Sequence, residues 1–325
     1  LCARKVCWAL GEGDSLLRVD RHTAVIMLAL LLVAATPVLG QPYLTRFATG
    51  VLIFGLVAMS LDLLVGYGGM VSFGHAAFFG LGAYVTAVLG FHGIHSAFVA
   101  IPVAIGIAAL AAFVIGGISL RTTGVYFIMI TLAFAQMLFY IAHALAIYGG
   151  DDGLKVARNS LVAIIDFNGP TTFFFAVLVV FLAAFLFSFR LTQSRFGRVL
   201  QGIRDNPQRA ESIGYNTYRY QLVGFIIAGA LAGLGGMLHA NLNEYVSPDL
   251  LNWEQSGDLL IMLILGGVGT LIGPVFGAAA YFFLQEILSM YTRHWMLVLG
   301  PILLLVVLFS SGGIYGLLGA KSRDE

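Results

Sequence analysis

Apolar runs follow one another along almost the whole chain, separated by short polar turns. A run of about 20 apolar residues crosses the roughly 30 Å hydrocarbon core of a bilayer as a helix. On that spacing the pattern predicts ten spans, over 24–40, 46–65, 71–90, 96–118, 123–146, 171–190, 218–242, 256–272, 274–290 and 295–311. Two of them are unusual. The runs 71–90 and 256–272 are studded with glycine, and Pro274 follows Gly273 directly after the second. Breaks of this kind are tolerated at membrane depth only where protein or a water-filled cavity satisfies the freed backbone. The expected fold class is an all-α polytopic membrane protein with about ten transmembrane helices, two of them glycine-interrupted.

One long segment, SRFGRVLQGIRDNPQRAESIGYN (194–216), breaks the apolar pattern. Phe196, Val199, Leu200 and Ile203 fall at i, i+3, i+4 and i+7, which is one face of a helix. Asn206 and Pro207 then interrupt it, and both are start signals: Asn caps helices and Pro favours the first helical position. Gly214 suits the left-handed position that ends a helix. A separate short helix is therefore predicted over 207–213, outside the bilayer. Seven residues do not hold as an isolated helix in water, so it must pack on protein. Small Ala210 between Arg209 and Glu211, with Gly214 after them, fits a knob for a protein groove. A lipid-facing helix wants a larger apolar face.

Composition narrows the class. The chain is 59% hydrophobic and 10% charged, against roughly 25% charged residues in an average soluble domain, and its mean hydropathy is +0.94. No soluble core absorbs that surface. The formal net charge of +1 gives no ground for a nucleic-acid partner. Cys2 and Cys7, with no His or carboxylate cluster beside them, make neither a zinc site nor a disulfide framework.

The basic residues orient the array. Twelve of the seventeen Lys and Arg lie in the leader, in 190–219 and at the C-terminus, whereas 243–255 carries Glu244, Asp249 and Glu254 and no base. The positive-inside rule places the first group in the cytoplasm and the acidic loop outside. Ten spans with both termini cytoplasmic satisfy every one of these parities. The expected organisation is a cytoplasmic leader (1–22), a transmembrane domain (23–311) with a cytoplasmic loop at 191–217, and a cytoplasmic tail (312–325). A basic leader before an apolar run also fits a signal peptide, but Pro37, Gly40 and Pro42 make a poor cleavage site.

Chemistry-bearing motifs are few. No HExxH, GxSxG or paired mid-span aspartates point to an enzyme, and no catalytic residue or metal site is expected. GLLGAKS (316–322) ends like a phosphate loop, but Ala320 stands where the glycine before the lysine belongs. His92 and His95 share a short turn without carboxylates. Asp62, Glu286 and Asp258 lie near span ends, where each is expected to reach the interface. Gln136, His143 and His239 are expected to be satisfied by neighbouring helices. Glycine-interrupted segments in the two halves of a carrier point to a central pathway. The candidates for it are Ser72, Gly74 and His75 in the first break and Gly266, Gly267 and Gly269 in the second.

Four stretches, in order, resemble one family. GIRDNPQRAESIGYN (202–216) is similar to the cytoplasmic loop of bacterial ABC importer permeases, where a short Glu-Ala-rich helix ending in Gly docks into the ATP-binding subunit. LVGYGGMVSFGHAAFFGLGAY (64–84) and LILGGVGTLIGPVFGAAA (263–280) resemble the early and late glycine-rich spans of branched-chain amino-acid permeases. YFIMITLAFAQMLFYIA (126–142) with GGDDGL (149–154) resembles the fifth span and outward loop of the M-type subunit of the leucine/isoleucine/valine high-affinity system. The resemblance runs from about residue 43 to 311. The family's Glu-Ala-Ala core is represented here only by Arg209-Ala210-Glu211-Ser212.

The resemblance implies a permease subunit of an ATP-driven importer in the bacterial inner membrane. Its partners would be two ATP-binding subunits, a second permease, a periplasmic substrate-binding protein and the lipid membrane. This chain would bind no cofactor, with ATP and Mg held by the partner subunits. Arg204, Asp205, Asn206, Pro207, Arg209, Ala210, Glu211 and Gly214 become the candidates for coupling to the ATPase. Asp151 and Asp152 become the candidates for contact with the binding protein. Branched-chain or related hydrophobic amino acids are the implied solutes, with urea, short amides or other small solutes as alternatives. An ATP-independent secondary carrier is the alternative of a different class. It would need coupling-ion residues at mid-membrane, and none is visible in the sequence.

Overall fold

The computed structural model of the protein describes residues 41–156, 169–291, 294, 297–301 and 313–314. The predicted leader 1–22, the span 24–40, most of the span 295–311 and nearly all of the tail 312–325 lie outside the described residues. The elements are helical in order: α1 (Pro42–Asp62), prolonged by a π turn (Leu63–Tyr67), α2 (His75–Phe91), α3 (Ala97–Ser119) and α4 (Val125–Ala144). A loop with a short strand β1 (Leu154–Lys155) precedes α5 (Pro170–Gln193), α6 (Arg195–Asp205), α7 (Pro207–Ser212) and α8 (Thr217–Asn243). Strand β2 (Tyr245–Val246), a 3-10 turn (Pro248–Leu251), α9 (Trp253–Gly266) and α10 (Gly273–Tyr291) follow. Among the described residues, five stretches are long and apolar enough to cross a membrane: α1 with its π turn, α3, α4, α5 and α8.

The two glycine-rich runs are broken, and shorter than their hydropathy suggests. The pattern gave 71–90, but residues 71–74 are not helical and α2 starts at His75; it gave 256–272, but α9 stops at Gly266. Backbone conformation is the reason. Gly69 sits at φ +67°, and beyond α9 Gly267, Gly269 and even Leu271 have φ of 113°, 81° and 56°, a region that right-handed helices exclude. With 14 residues, α9 is about 21 Å long at 1.5 Å per residue.

Burial separates a centre from a rim. In the most apolar stretch of each helix, 89% of residues are buried for α1 and 67% for α8, against 33%, 28% and 22% for α5, α3 and α4. The rim helices present Phe, Val, Leu and Ile outward, as lipid-facing surfaces do. Small residues let the centre close. Ala104, Ala108 and Ala112, fully buried at four-residue spacing on α3, face Gly229 and Gly233 of α8. Seven residues on from Gly229, and so along the same face of α8, Gly236 lies against the Phe79 carbonyl of α2. Lipid tails are as apolar as the helices, so association rests on this close packing rather than on a hydrophobic drive.

The helix ends sort into two groups. At one, β1 and β2 pair antiparallel, Leu154 opposite Val246 and Lys155 opposite Tyr245, and the Tyr43 hydroxyl at the start of α1 donates to Glu286 at the end of α10. At the other, Arg204 of α6 donates to the Gly66 carbonyl of the π turn, and the Tyr218 hydroxyl donates to Gly117 of α3 at 2.9 Å. The second end carries the arginine-rich 190–219 segment and is called the basic end below.

Candidate functional site

At the basic end α5 passes into α6 through a single residue. Ser194 ends α5 and caps α6, its Oγ accepting the Gly197 amide at 3.3 Å. The apolar face predicted for α6 is turned inward: Leu200 and Ile203 are buried, and Leu200 lies against Gly224 of α8. Phe196 stacks on Tyr220 of α8 with ring centroids 5.6 Å apart.

The short helix follows at once. Asn206 ends α6 and caps α7, its Oδ1 accepting the Arg209 amide at 2.9 Å, with Pro207 in the first turn. Gly214 takes φ +96° just past the end. The helix Pro207–Ser212 is one residue shorter than predicted. The Thr217 hydroxyl donates to Glu211 at 2.7 Å, tying α7 to the start of α8. Asn216 then caps α8 through the Arg219 amide, 3.1 Å away. Only Ala210 of this helix is buried. Asp205, Asn206, Pro207, Arg209, Glu211 and Gly214 are exposed, and so is Ile213, at 70%. The result is a capped projection with charges on its flanks and an apolar tip.

Arg204 is exposed like its neighbours, with 42% of its side chain open, but it is bonded differently. Its guanidinium turns back into the chain, donating to the Gly66 carbonyl and, from Nε and Nη2, to Asp205 Oδ1 at 3.2 and 3.0 Å. Its stem covers Gly69, where a Cβ would come 2.7 Å from Arg204 Cγ. Gly269, in the second break, lies 4.0 Å from Arg204 Nη1, measured from an added Cβ. The first and second glycine breaks therefore meet at this residue.

Between them sits Asp62. The sequence places it near a span end, where it was expected to reach the interface; it is instead fully buried. Its Oδ1 accepts the Gly269 amide at 2.7 Å and its Oδ2 the Leu271 amide at 2.9 Å. Those amides belong to backbone that has left the helix, so the carboxylate replaces the helical carbonyls they lack. Gly66 leaves no room for a side chain, since a Cβ there would lie 2.6 Å from Gly269 Cα.

The candidate pathway residues of the first break sit deeper. His75 and Ser72 are fully buried. Ser60 Oγ donates to Val57 O at 2.7 Å and lies 2.8 Å from His75 Nε2, so Nε2 carries the proton and donates to Ser60. Ser72 Oγ accepts the Gly74 amide at 3.2 Å, and Ser256 of α9 accepts the Ala76 amide at 3.0 Å. The second broken element thus caps the first turn of α2. Gly266 and Gly267 are buried, and Gly269 is partly so. A small cleft of about 180 Å³ opens beside the first break, lined by Gly69, Met70, Thr122, Thr123, Gly124 and Gln221 among others.

At the opposite end, Asp151 and Asp152 are exposed. Asp151 pairs with His143, and the Asp152 carbonyl accepts the Tyr245 hydroxyl at 2.6 Å. Gln136 donates to Asn252 at 3.0 Å, and His239 packs on Phe54 and Phe79 with Asn243 2.9 Å from its Nε2. Sequence reasoning missed Asp62 as an anchor and Tyr245 as a clasp. Both act on backbone groups distant in sequence, which leave no local signature.

The family of branched-chain amino acid transport system / permease components matches residues 43–308 of the chain. The high-affinity branched-chain amino acid transport system permease protein LivM of Salmonella typhimurium is 26% identical over 316 residues, covering 89% of this chain and 74% of that protein. LivM of Escherichia coli K12 matches with the same identity and coverage. The permease protein LivH of Escherichia coli K12 is 25% identical over 281 residues, 81% of this chain and 91% of that protein. No solved structure matches.

Proposed function

The chain belongs to the family of branched-chain amino acid transport permease components, and from that premise we propose how it works and on what. It is the membrane-spanning permease of an ATP-driven importer in a bacterial inner membrane, with both termini in the cytoplasm. Its solutes are branched-chain or related hydrophobic amino acids. A second permease completes the pathway, two further subunits bind and hydrolyse Mg-ATP, and a periplasmic binding protein delivers the solute. The α6–α7 segment is where ATP-driven motion enters, through Asp205, Asn206, Pro207, Arg209, Ala210, Glu211 and Gly214. Ser72, Gly74 and His75 of one break and Gly266, Gly267 and Gly269 of the other border the pathway. Asp151 and Asp152 face the binding protein.

One observation carries this reading beyond the family match. A six-residue helix with a single buried side chain cannot fold for its own stability, yet both its ends are capped and its Ile213 tip is exposed. A projection built to that specification serves a partner's groove.

The test is purification of the tagged chain from native membranes with everything bound to it, followed by reconstitution in vesicles. Recovery of nucleotide-binding subunits and a second permease, with ATP-dependent uptake of labelled leucine, isoleucine or valine, is the expected result. Uptake of urea or amides by the same complex would move the substrate assignment. A homo-oligomer transporting into ATP-free vesicles would overturn the importer reading in favour of a secondary carrier.

A further inference from the structure

We propose that Arg204 and Asp62 are positioning residues that make the two glycine breaks and the α6–α7 projection one moving part. The inference rests on the importer reading and says where the motion goes after it reaches α7. Arg204 is the penultimate residue of α6 and lies three residues before Pro207, the start of α7. Among the residues expected to meet the ATPase, it is the one whose side chain, 42% exposed, also bonds the backbone of a spanning element. Its guanidinium holds the Gly66 carbonyl of the π turn, and its stem seats on Gly69. A planar, multiply donating group reaching a backbone carbonyl while braced by Asp205 is held in direction as well as in place.

Asp62 extends the connection. Its two oxygens bond the amides of Gly269 and Leu271, 207 and 209 residues away, at 2.7 and 2.9 Å. Asp62 lies one helical turn before Gly66, so the element gripped by Arg204 is the element that holds the second break. Gly66 and Gly269 meet without side chains between them, and Leu271 is held at φ 56°, a conformation a non-glycine residue keeps only when its surroundings enforce it. Displacement of α6 therefore moves the 66–69 turn and the 267–271 loop together. The start of α2, beyond the first break, and the start of α10, beyond the second, then shift in concert. Cut Arg204 from Gly66 and α7 still docks, but the motion reaches neither break; cut Asp62 from Gly269 and Leu271 and it stops short of the second.

The experiment uses the whole complex in vesicles, with binding protein and saturating leucine, and measures ATP hydrolysed and solute taken up side by side. Arg204→Gln removes the charge and the fork; Asp62→Asn sets an amide N–H against a backbone N–H. The expected result is that both variants keep their ATPase subunits on co-purification while uptake per ATP falls about tenfold or more, the scale of losing a hydrogen bond to a charged group. Arg204→Lys, which keeps a point charge for Gly66, should restore part of that ratio. A merely structural role would lower hydrolysis and uptake together and leave the ratio within about a factor of two, and that outcome overturns the proposal. Loss of ATPase subunits from the Arg204→Gln complex would make Arg204 part of the docking surface and overturn it as well. If Asp62→Asn does not fold, Arg204→Gln alone decides. If the unaltered chain retains no ATPase subunit, the importer reading falls first, and the control shows it.

Discussion

Gly82 of α2 and Gly233 of α8 meet backbone to backbone: a Cβ on Gly82 would overlap the Gly233 carbonyl group, with Gly233 Cα only 2.7 Å away. Neither helix can yield easily, because α8 is held on its other faces by α3 and by Val57 of α1, which lies against Gly235. Gly82→Ala should therefore destabilise the bundle by about 1–3 kcal/mol, the range for overpacking a filled core. Gly106 of α3 has open space around its Cβ position, and Gly106→Ala should be neutral or stabilising by up to about 1 kcal/mol. Thermal unfolding of the two detergent-solubilised variants, run together, checks the contrast.

Gly214 tests the end of the projection. Nothing lies within 4 Å of its Cβ position, so any effect of substitution there comes from its φ of +96°. Gly214→Val should cost about 1–3 kcal/mol of local strain and weaken recovery of the ATPase subunits. Gly214→Asn should be milder, since Asn tolerates left-handed backbone. Equal recovery and equal uptake in Gly214→Val and the unaltered chain would remove this turn from the docking surface.

The start of the same helix depends on one side chain. Asn206→Ala removes the acceptor for the Arg209 amide and should cost about 0.5–2 kcal/mol. Amide exchange across 207–213 should speed up while exchange in α8 stays as it was. Asn206→Asp, an equally good cap, should behave like the unaltered chain.

At the opposite end, Tyr245→Phe deletes the hydroxyl that holds the Asp152 carbonyl. The loss should be about 0.5–1.5 kcal/mol, concentrated on the two-residue pairing of β1 with β2. Protease added from outside should cut the 149–155 loop faster, and half-maximal stimulation by the binding protein should need more of it. Unchanged stimulation despite faster cleavage would separate this loop from binding-protein contact.

Much of this was legible in the chain. The helix at 207–212 was readable because its signals are local: Asn206, Pro207 and Gly214 act within a few residues of themselves. The broken spans were readable because glycine is the breaker. Where each break begins was not. The run 256–272 stays apolar to its end, and nothing in it announces that Leu271 adopts positive φ, because the constraint comes from Asp62. Asp62 itself reads as an ordinary carboxylate near a helix end. Its partners are backbone amides, which every sequence has everywhere. Strands β1 and β2 are two residues each, too short for any alternation to register.

Ser194, Asn206 and Asn216 have been described as caps, and the first two also fasten one rod directly to the next. Ser194 and Asn206 each close one helix and open the following one with no residue to spare. A linkage of stiff bars on pins has no slack, so a push at one bar cannot be absorbed as slackening of the chain between them. It has to appear as rotation at the pins. On the importer reading proposed above, the stroke delivered to the membrane is then fixed by bar length and pin position rather than by how hard the partner pulls. By the same geometry, a few glycines and serines spliced in at Asn206 would work as a clutch. The projection would still seat in its groove, and the far end of the linkage would stand still.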